Sequence, residues 1–187
     1  MQRTVITPPA EEPVALEATK SFLRIGHASE DALVTDLMAA ARSKIELALD
    51  IALVTRTVEL VFDDNPVLDR DCRLTLRPGP VVRLISVETE TGDGIRTNVT
   101  SRFTLAGTSI DLRAGETWPI LQPGDRLVVR FDAGFGAAGD VPEALVQAVK
   151  LMTRISYLAR DGVPVDAFRA LSSEIAELIA PYREVRV

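Results

Sequence analysis

One cysteine and one histidine in 187 residues leave little material for catalysis. Cys72 alone makes no internal disulfide, which fits a reducing cytoplasm. Together with His27 it cannot supply the ligands of a zinc site. A serine or cysteine nucleophile would have to take its base from His27, and no Gly-x-Ser-x-Gly elbow surrounds any serine. Aromatic residues are also scarce, at 5%, so Leu, Val, Ile and Ala must build the core. No apolar run approaches the roughly 18–20 residues a membrane span needs, so no membrane partner is expected. Met1-Gln2-Arg3-Thr4-Val5 runs into Thr7-Pro8-Pro9 without an apolar stretch, and no export signal is expected. A basic excess is missing too: 21 Lys and Arg stand against 27 Asp and Glu, for a net charge of −6. The densest arginines, Arg70, Arg73, Arg77 and Arg83, are interleaved with Asp69 and Asp71, so no phosphate-gripping face is expected.

What is present suits one domain with a substantial core: 47% apolar and 26% charged residues. Pro8, Pro9 and Pro13 make residues 1–13 an extended arm. A short helix follows to about Ile25, with Leu16, Phe22 and Leu23 as its apolar contacts and Gly26 as its stop. Ser29 reads as the N-cap of a second helix, with Glu30 and Asp31 favourably placed against its dipole. Leu33, Leu37, Ala41, Ile45 and Ala48 form its stripe, widened by Val34, Met38 and Leu49.

From Val54 the period becomes two. Strands are expected at Val58–Phe62, Arg73–Arg77, Val82–Glu90, near Arg102–Leu105 and Ser109–Leu112, and at Leu127–Phe131, as a meander of about six. After Pro142, Leu145, Val149, Met152 and Ile155 give a helical stripe. Gly162 and Pro164 break it, and a last helix carries Phe168, Leu171, Ile175 and Leu178. Pro181 ends that helix and leaves the tail 181–187. The order predicts an α+β fold: a helical bundle of N-terminal (about 14–50) and C-terminal (about 141–180) helices, with an antiparallel β module (about 54–135) inserted. No helix here can bury its apolar face alone, so early and late helices should pack together.

Several local patterns mimic sites. Asp63-Asp64-Asn65-Pro66 is turn chemistry. Glu88 and Glu90 share one face of a strand and read as solvated. Cys72 reads as a half-buried strand residue. Gly134-Phe135-Gly136-Ala137-Ala138-Gly139 matches the dinucleotide glycine spacing, but no parallel strand with an acidic residue follows its helix. The glycines instead allow a sharp passage from sheet to helix. Asn98-Val99-Thr100 is a glycosylation sequon without an export signal to give it meaning. Trp118 reads as a small hydrophobic plug ahead of an interface anchor. No catalytic, cofactor-binding or metal-binding residue emerges.

The chain resembles the head–tail connector, or adaptor, family of long-tailed phages, including prophage and gene transfer agent versions. The resemblance runs through 7–18 with Lys20 and Leu23-Arg24-Ile25, through Asp31-Ala32-Leu33 to Ala39-Ala40-Ala41-Arg42, and through Val54-Thr55-Arg56-Thr57 with Glu59-Leu60. It continues from Leu76-Arg77-Pro78 to Val87, then Trp118-Pro119, 129–136 and 141–145, and closes with Ala180-Pro181-Tyr182-Arg183. Leu49-Asp50-Ile51-Ala52-Leu53 departs from the aromatic- and glycine-containing stretch usual before the first strand. The resemblance implies a single connector domain over 1–187 and a non-enzymatic subunit without cofactors, made in a host bacterial cytoplasm and built into the neck of a virion or phage-like particle. It further implies a ring, usually of twelve copies, under the portal protein, meeting a downstream stopper or tail protein, with DNA passing through the lumen. The tail residues Pro181, Tyr182, Arg183, Val185, Arg186 and Val187 would bind the portal. Another neck component, such as a stopper or tail-side ring, is the alternative; a small cytosolic ligand-binding domain is the alternative of a different class.

Overall fold

The computed structural model describes residues 1–161 and 165–183. The chain divides into two compact units. One holds Met1–Ala10 and Thr55–Phe135; the other holds Glu11–Val54 and the described residues from Gly136 onward. The fold is α+β, with antiparallel strands in the first unit and helices from both ends of the sequence in the second.

Eight strands are described in the first unit: β1 (Gln2–Thr7), β2 (Arg56–Phe62), β3 (Leu74–Thr75), β4 (Val81–Glu90), β5 (Arg96–Asn98), β6 (Phe103–Ala106), β7 (Ser109–Leu112) and β8 (Arg126–Ala133). They form a five-stranded sheet ordered β1-β2-β8-β4-β5 and a three-stranded sheet ordered β3-β7-β6. This corrects the expected meander, because β8 inserts between β2 and β4. The reason lies in burial: Leu127, Val128, Val129, Phe131 and Ala133 are all buried, so β8 needs a neighbour on each edge and apolar cover. Val58 faces Phe131, Leu60 faces Val129 and Phe62 faces Leu127, while Val87 of β4 faces Val129 from the other side. Each such side chain contributes roughly 1.5–3 kcal/mol by leaving water.

The extended arm is paired: Gln2–Thr7 is a strand on β2, with Arg3 opposite Leu60 and Val5 opposite Val58. β5 had no counterpart in the sequence reading, since Arg96-Thr97-Asn98 carries no apolar residue and pairs only with Glu88–Glu90. Cys72 is not a half-buried strand residue but an exposed one, at φ 60, in the turn around Asp69. Asp69 makes that turn by accepting the N–H groups of Asp71 and Arg73.

The second unit holds α1 (Leu16–Leu23), α2 (Asp31–Leu49), α3 (Glu143–Leu158) and α4 (Val165–Ile179). α2 packs on α3, α3 on α4, and α1 on both α2 and α3, so early and late helices do share one core. Val34, Met38, Ala41, Ile45 and Leu49 are the buried set of α2. Leu33 and Leu37 are only half-buried and Ala48 is exposed, so the stripe centres on its expected flank. In α3 the buried set is Leu145, Ala148, Val149 and Leu151, with Met152 and Ile155 half-buried at the margin.

Two helix boundaries differ from the propensity reading. α1 ends at Arg24, which adopts the left-handed conformation at φ 62, two residues before Gly26. The N-cap position of α2 is Glu30, without a side-chain cap bond, and not Ser29, whose hydroxyl shares a 2.8 Å hydrogen bond with His27 Nδ1. The pairing of Lys20 with Asp31, at 2.7 Å, ties α1 to the first residue of α2 and holds the Lys20 ammonium above its ordinary pKa. The break at Gly162 and Pro164 lies outside the described residues.

Candidate assembly interface

The residues that could have carried chemistry are engaged structurally. Glu88 and Glu90 do not form a solvated face: both reach Arg96, at 3.6 and 2.6 Å, and keep only 17% and 18% of their side chains exposed. Asp63 pairs with Arg126 at 3.1 Å, and the Asn65 side chain accepts the N–H of Leu121. His27 is exposed beside Glu30. Among the described residues no group of His, Cys, Asp and Glu could hold a metal, and no helix is long and apolar enough to cross a membrane.

Trp118 fills the plug role. Its ring lies 4.9 Å from the buried Phe103, tilted by 55°, and its Nε1 donates to the Cys72 carbonyl at 3.1 Å. The glycine run performs the sheet-to-helix passage. Gly134 and Gly136 have φ 141 and 139, and Asp140 Oδ2 accepts the N–H of Ala137 within that turn.

The C-terminal candidates begin where α4 stops. Ile175 and Ile179 are buried and anchor the helix. A 3₁₀ turn over Ala180–Tyr182 follows, with Pro181 in its first turn, where a missing N–H costs nothing. Arg183 then has extended backbone, at φ −76 and ψ 121. Pro181 and Arg183 are exposed and Tyr182 half-buried. Val185, Arg186 and Val187 lie outside the described residues.

Other surfaces went unread in the sequence. β1 and β5 are the two outer strands of the five-stranded sheet, and every residue of both is exposed. An outer strand offers unpaired backbone groups to another chain. The signal for β1 was available in the β-branched run Thr4-Val5-Ile6-Thr7, but the prolines after it dominated the reading. Exposed aliphatic side chains also stand on the loops, with Val67 at 93% and Ile120 at 81%.

Comparison with known proteins points to an assembly role. Residues 13–78 match the family described as Phage gp6-like head-tail connector protein. The whole chain also superposes on a chain from the neck of an empty GTA (gene transfer agent) particle computed with C6 symmetry. TM-score is 0.85 and identity 26%, covering 100% of this chain and 97% of that one. These likenesses support a phage head–tail connector.

Two further structures resemble this connector at the same coverages, 100% and 97%. A chain from the virion of a native gene transfer agent particle gives TM-score 0.84 at 26% identity. One from the neck of a native GTA particle computed with C12 symmetry gives 0.82 at 25%. No curated protein sequence matches the connector. The family match covers α1, α2, β2 and β3, and the structural likeness extends through the rest of the β unit and the C-terminal helices.

Proposed function

We propose that the chain is one protomer of a ring, of twelve copies, that sits beneath the portal of a phage-like particle and joins head to tail while DNA passes through its lumen. The observation that carries this is a likeness spanning the entire chain to subunits of particle necks, one of them computed with twelvefold symmetry. The subunit works by fitting between neighbours and has no enzymatic role. Its partners are the portal above, a stopper or tail protein below, and copies of itself. Contacts in a ring are heterologous, so each protomer presents two different complementary patches. The net charge of −6 suits a conduit, because an acidic wall repels phosphates and lets DNA slide without sticking.

In this reading Pro181, Tyr182, Arg183, Val185, Arg186 and Val187 dock into a portal groove. Departure from the helical path at Arg183 supports it, since extended chain can be ordered by a partner. Many weak tail contacts around a ring add up through avidity. Deleting 181–187 tests the assignment by co-sedimentation with purified portal. The expected result is lost portal binding with an unchanged far-ultraviolet circular dichroism spectrum. Undiminished binding of the truncated protein would place the portal contact elsewhere.

A further inference from the structure

The helical unit has a cleft of about 410 Å³ between the last turn of α1 and the last turn of α3. Phe22, Leu23, Tyr157 and Leu158 line it, all half-buried, and Arg24 and Arg154 stand exposed at its rim. This volume falls within the roughly 300–1,000 Å³ typical of pockets that enclose a bound group. Neither rim arginine has an acidic partner among the described residues. Several other arginines are paired: Arg42, Arg83, Arg96 and Arg130 all hold carboxylates within 2.6–2.8 Å. Glu30, which bonds the cleft-lining Tyr157, is already occupied by that hydroxyl at 2.7 Å and by Arg160 at 3.3 Å. Arg24 also occupies a left-handed backbone position at φ 62 that glycine would fill without strain.

Given the ring reading, on which this inference rests, the geometry points to a second copy of the chain as the occupant, through its turn between β4 and β5. That turn presents Asp93, exposed and without a cationic partner among the described residues, two positions from Ile95, which is 65% exposed. It is held rigid by Gly94 N–H donating to Thr91 at 2.7 Å and Thr91 N–H donating to Ile95 at 2.9 Å. A preset turn loses little freedom on docking. A carboxylate beside an aliphatic side chain complements two arginines over an apolar floor. Two alternatives fit less well: Asp64 near Val67 has no backbone turn bond between those residues, and Glu116 near Ile120 already faces Arg102 at 3.8 Å. Cleft and turn are different surfaces, as a heterologous ring contact requires.

The test is incorporation into particles purified from producing cells, counted by quantitative mass spectrometry of this subunit against the portal. Arg24→Glu with Arg154→Glu should reduce the copies per portal at least about tenfold, because a paired charge at an interface is replaced by repulsion. Arg24→Gly with Arg154→Gln should also reduce them while leaving thermal stability unchanged or raised, since glycine relieves the left-handed position. Adding Asp93→Arg to the glutamate pair should restore incorporation. Full incorporation of the glutamate pair would overturn the cleft. A loss that Asp93→Arg fails to rescue would overturn the second copy as occupant. Absence of the unaltered protein from particles would instead overturn the ring reading itself.

Discussion

The backbone N–H of Leu53 donates to Oε1 of Glu46 at 2.9 Å, in a buried setting. The other oxygen of that carboxylate accepts from Arg42 at 3.0 Å, and Arg42 reaches on to Glu12 at 2.8 Å. One buried glutamate therefore binds the turn after α2 to α2 itself and, through Arg42, to the segment ahead of α1. The left-handed Asp50 and the buried Ile51, Ala52 and Leu53 complete the turn.

Replacing Glu46 with Ala should destabilise the protein by about 2 kcal/mol, the loss of hydrogen bonds to a charged group. In a chain of this size that lowers the melting temperature by roughly 4–8 °C. Glu46→Gln, which keeps an acceptor for Leu53, should lose clearly less. Equal losses in differential scanning calorimetry would show that the Leu53 bond contributes nothing of its own.

Glu30 and Tyr157 set a pH dependence. The Tyr157 hydroxyl, with help from Arg160, holds the Glu30 carboxyl below its ordinary pKa against the opposing effect of desolvation. A carboxyl with a depressed folded pKa stabilises the fold above its unfolded pKa, and that contribution fades as pH falls through the folded value. Tyr157→Phe should therefore lower stability near neutral pH and flatten the acid limb below the usual glutamate range. Urea midpoints from pH 7 to pH 3 measure it. Curves for the two proteins that run parallel down to pH 3 would refute the linkage.

Gly136 cannot be replaced cheaply. Its φ of 139 is a glycine conformation, and a Cβ there would run into the Asp140 side chain. Gly136→Ala should cost about 1–3 kcal/mol from backbone strain, with further loss if Asp140 is pushed off the Ala137 N–H. A chemical-denaturation midpoint equal to that of the unaltered protein would contradict the strain.

Trp118 separates packing from hydrogen bonding. Trp118→Phe keeps a ring against Phe103 and loses only the bond to the Cys72 carbonyl, a change of about 1 kcal/mol. Trp118→Ala loses both, and should cost about 2–3 kcal/mol because the ring is half-buried rather than enclosed. Circular dichroism during urea unfolding reports both. The plug reading would fail if alanine were as stable as phenylalanine.

The legible parts of this protein were those in which a short stretch states its own structure. The β7 strand at Ser109–Leu112, the alternating Val58, Leu60 and Phe62, and the end of α4 before Pro181 all follow from local periodicity and turn chemistry. The family was legible too, in the order of weak segments along nearly the whole chain. The assembly candidates were less so. Pro181, Tyr182 and Arg183 were visible as an end to a helix, whereas Arg24 and Arg154 are separated by 130 positions, and no local pattern joins them.

By itself the sequence determined most of the helical and extended stretches and that the β segment interrupts a helical set. Those properties depend on a residue and its near neighbours in the chain. Tertiary structure alone decided that β8 enters between β2 and β4, that the N-terminal arm becomes an outer strand, and that Glu88 and Glu90 are spent on Arg96. Each of those depends on partners brought together by burial of apolar surface, which rewards proximity in space and is indifferent to distance along the chain.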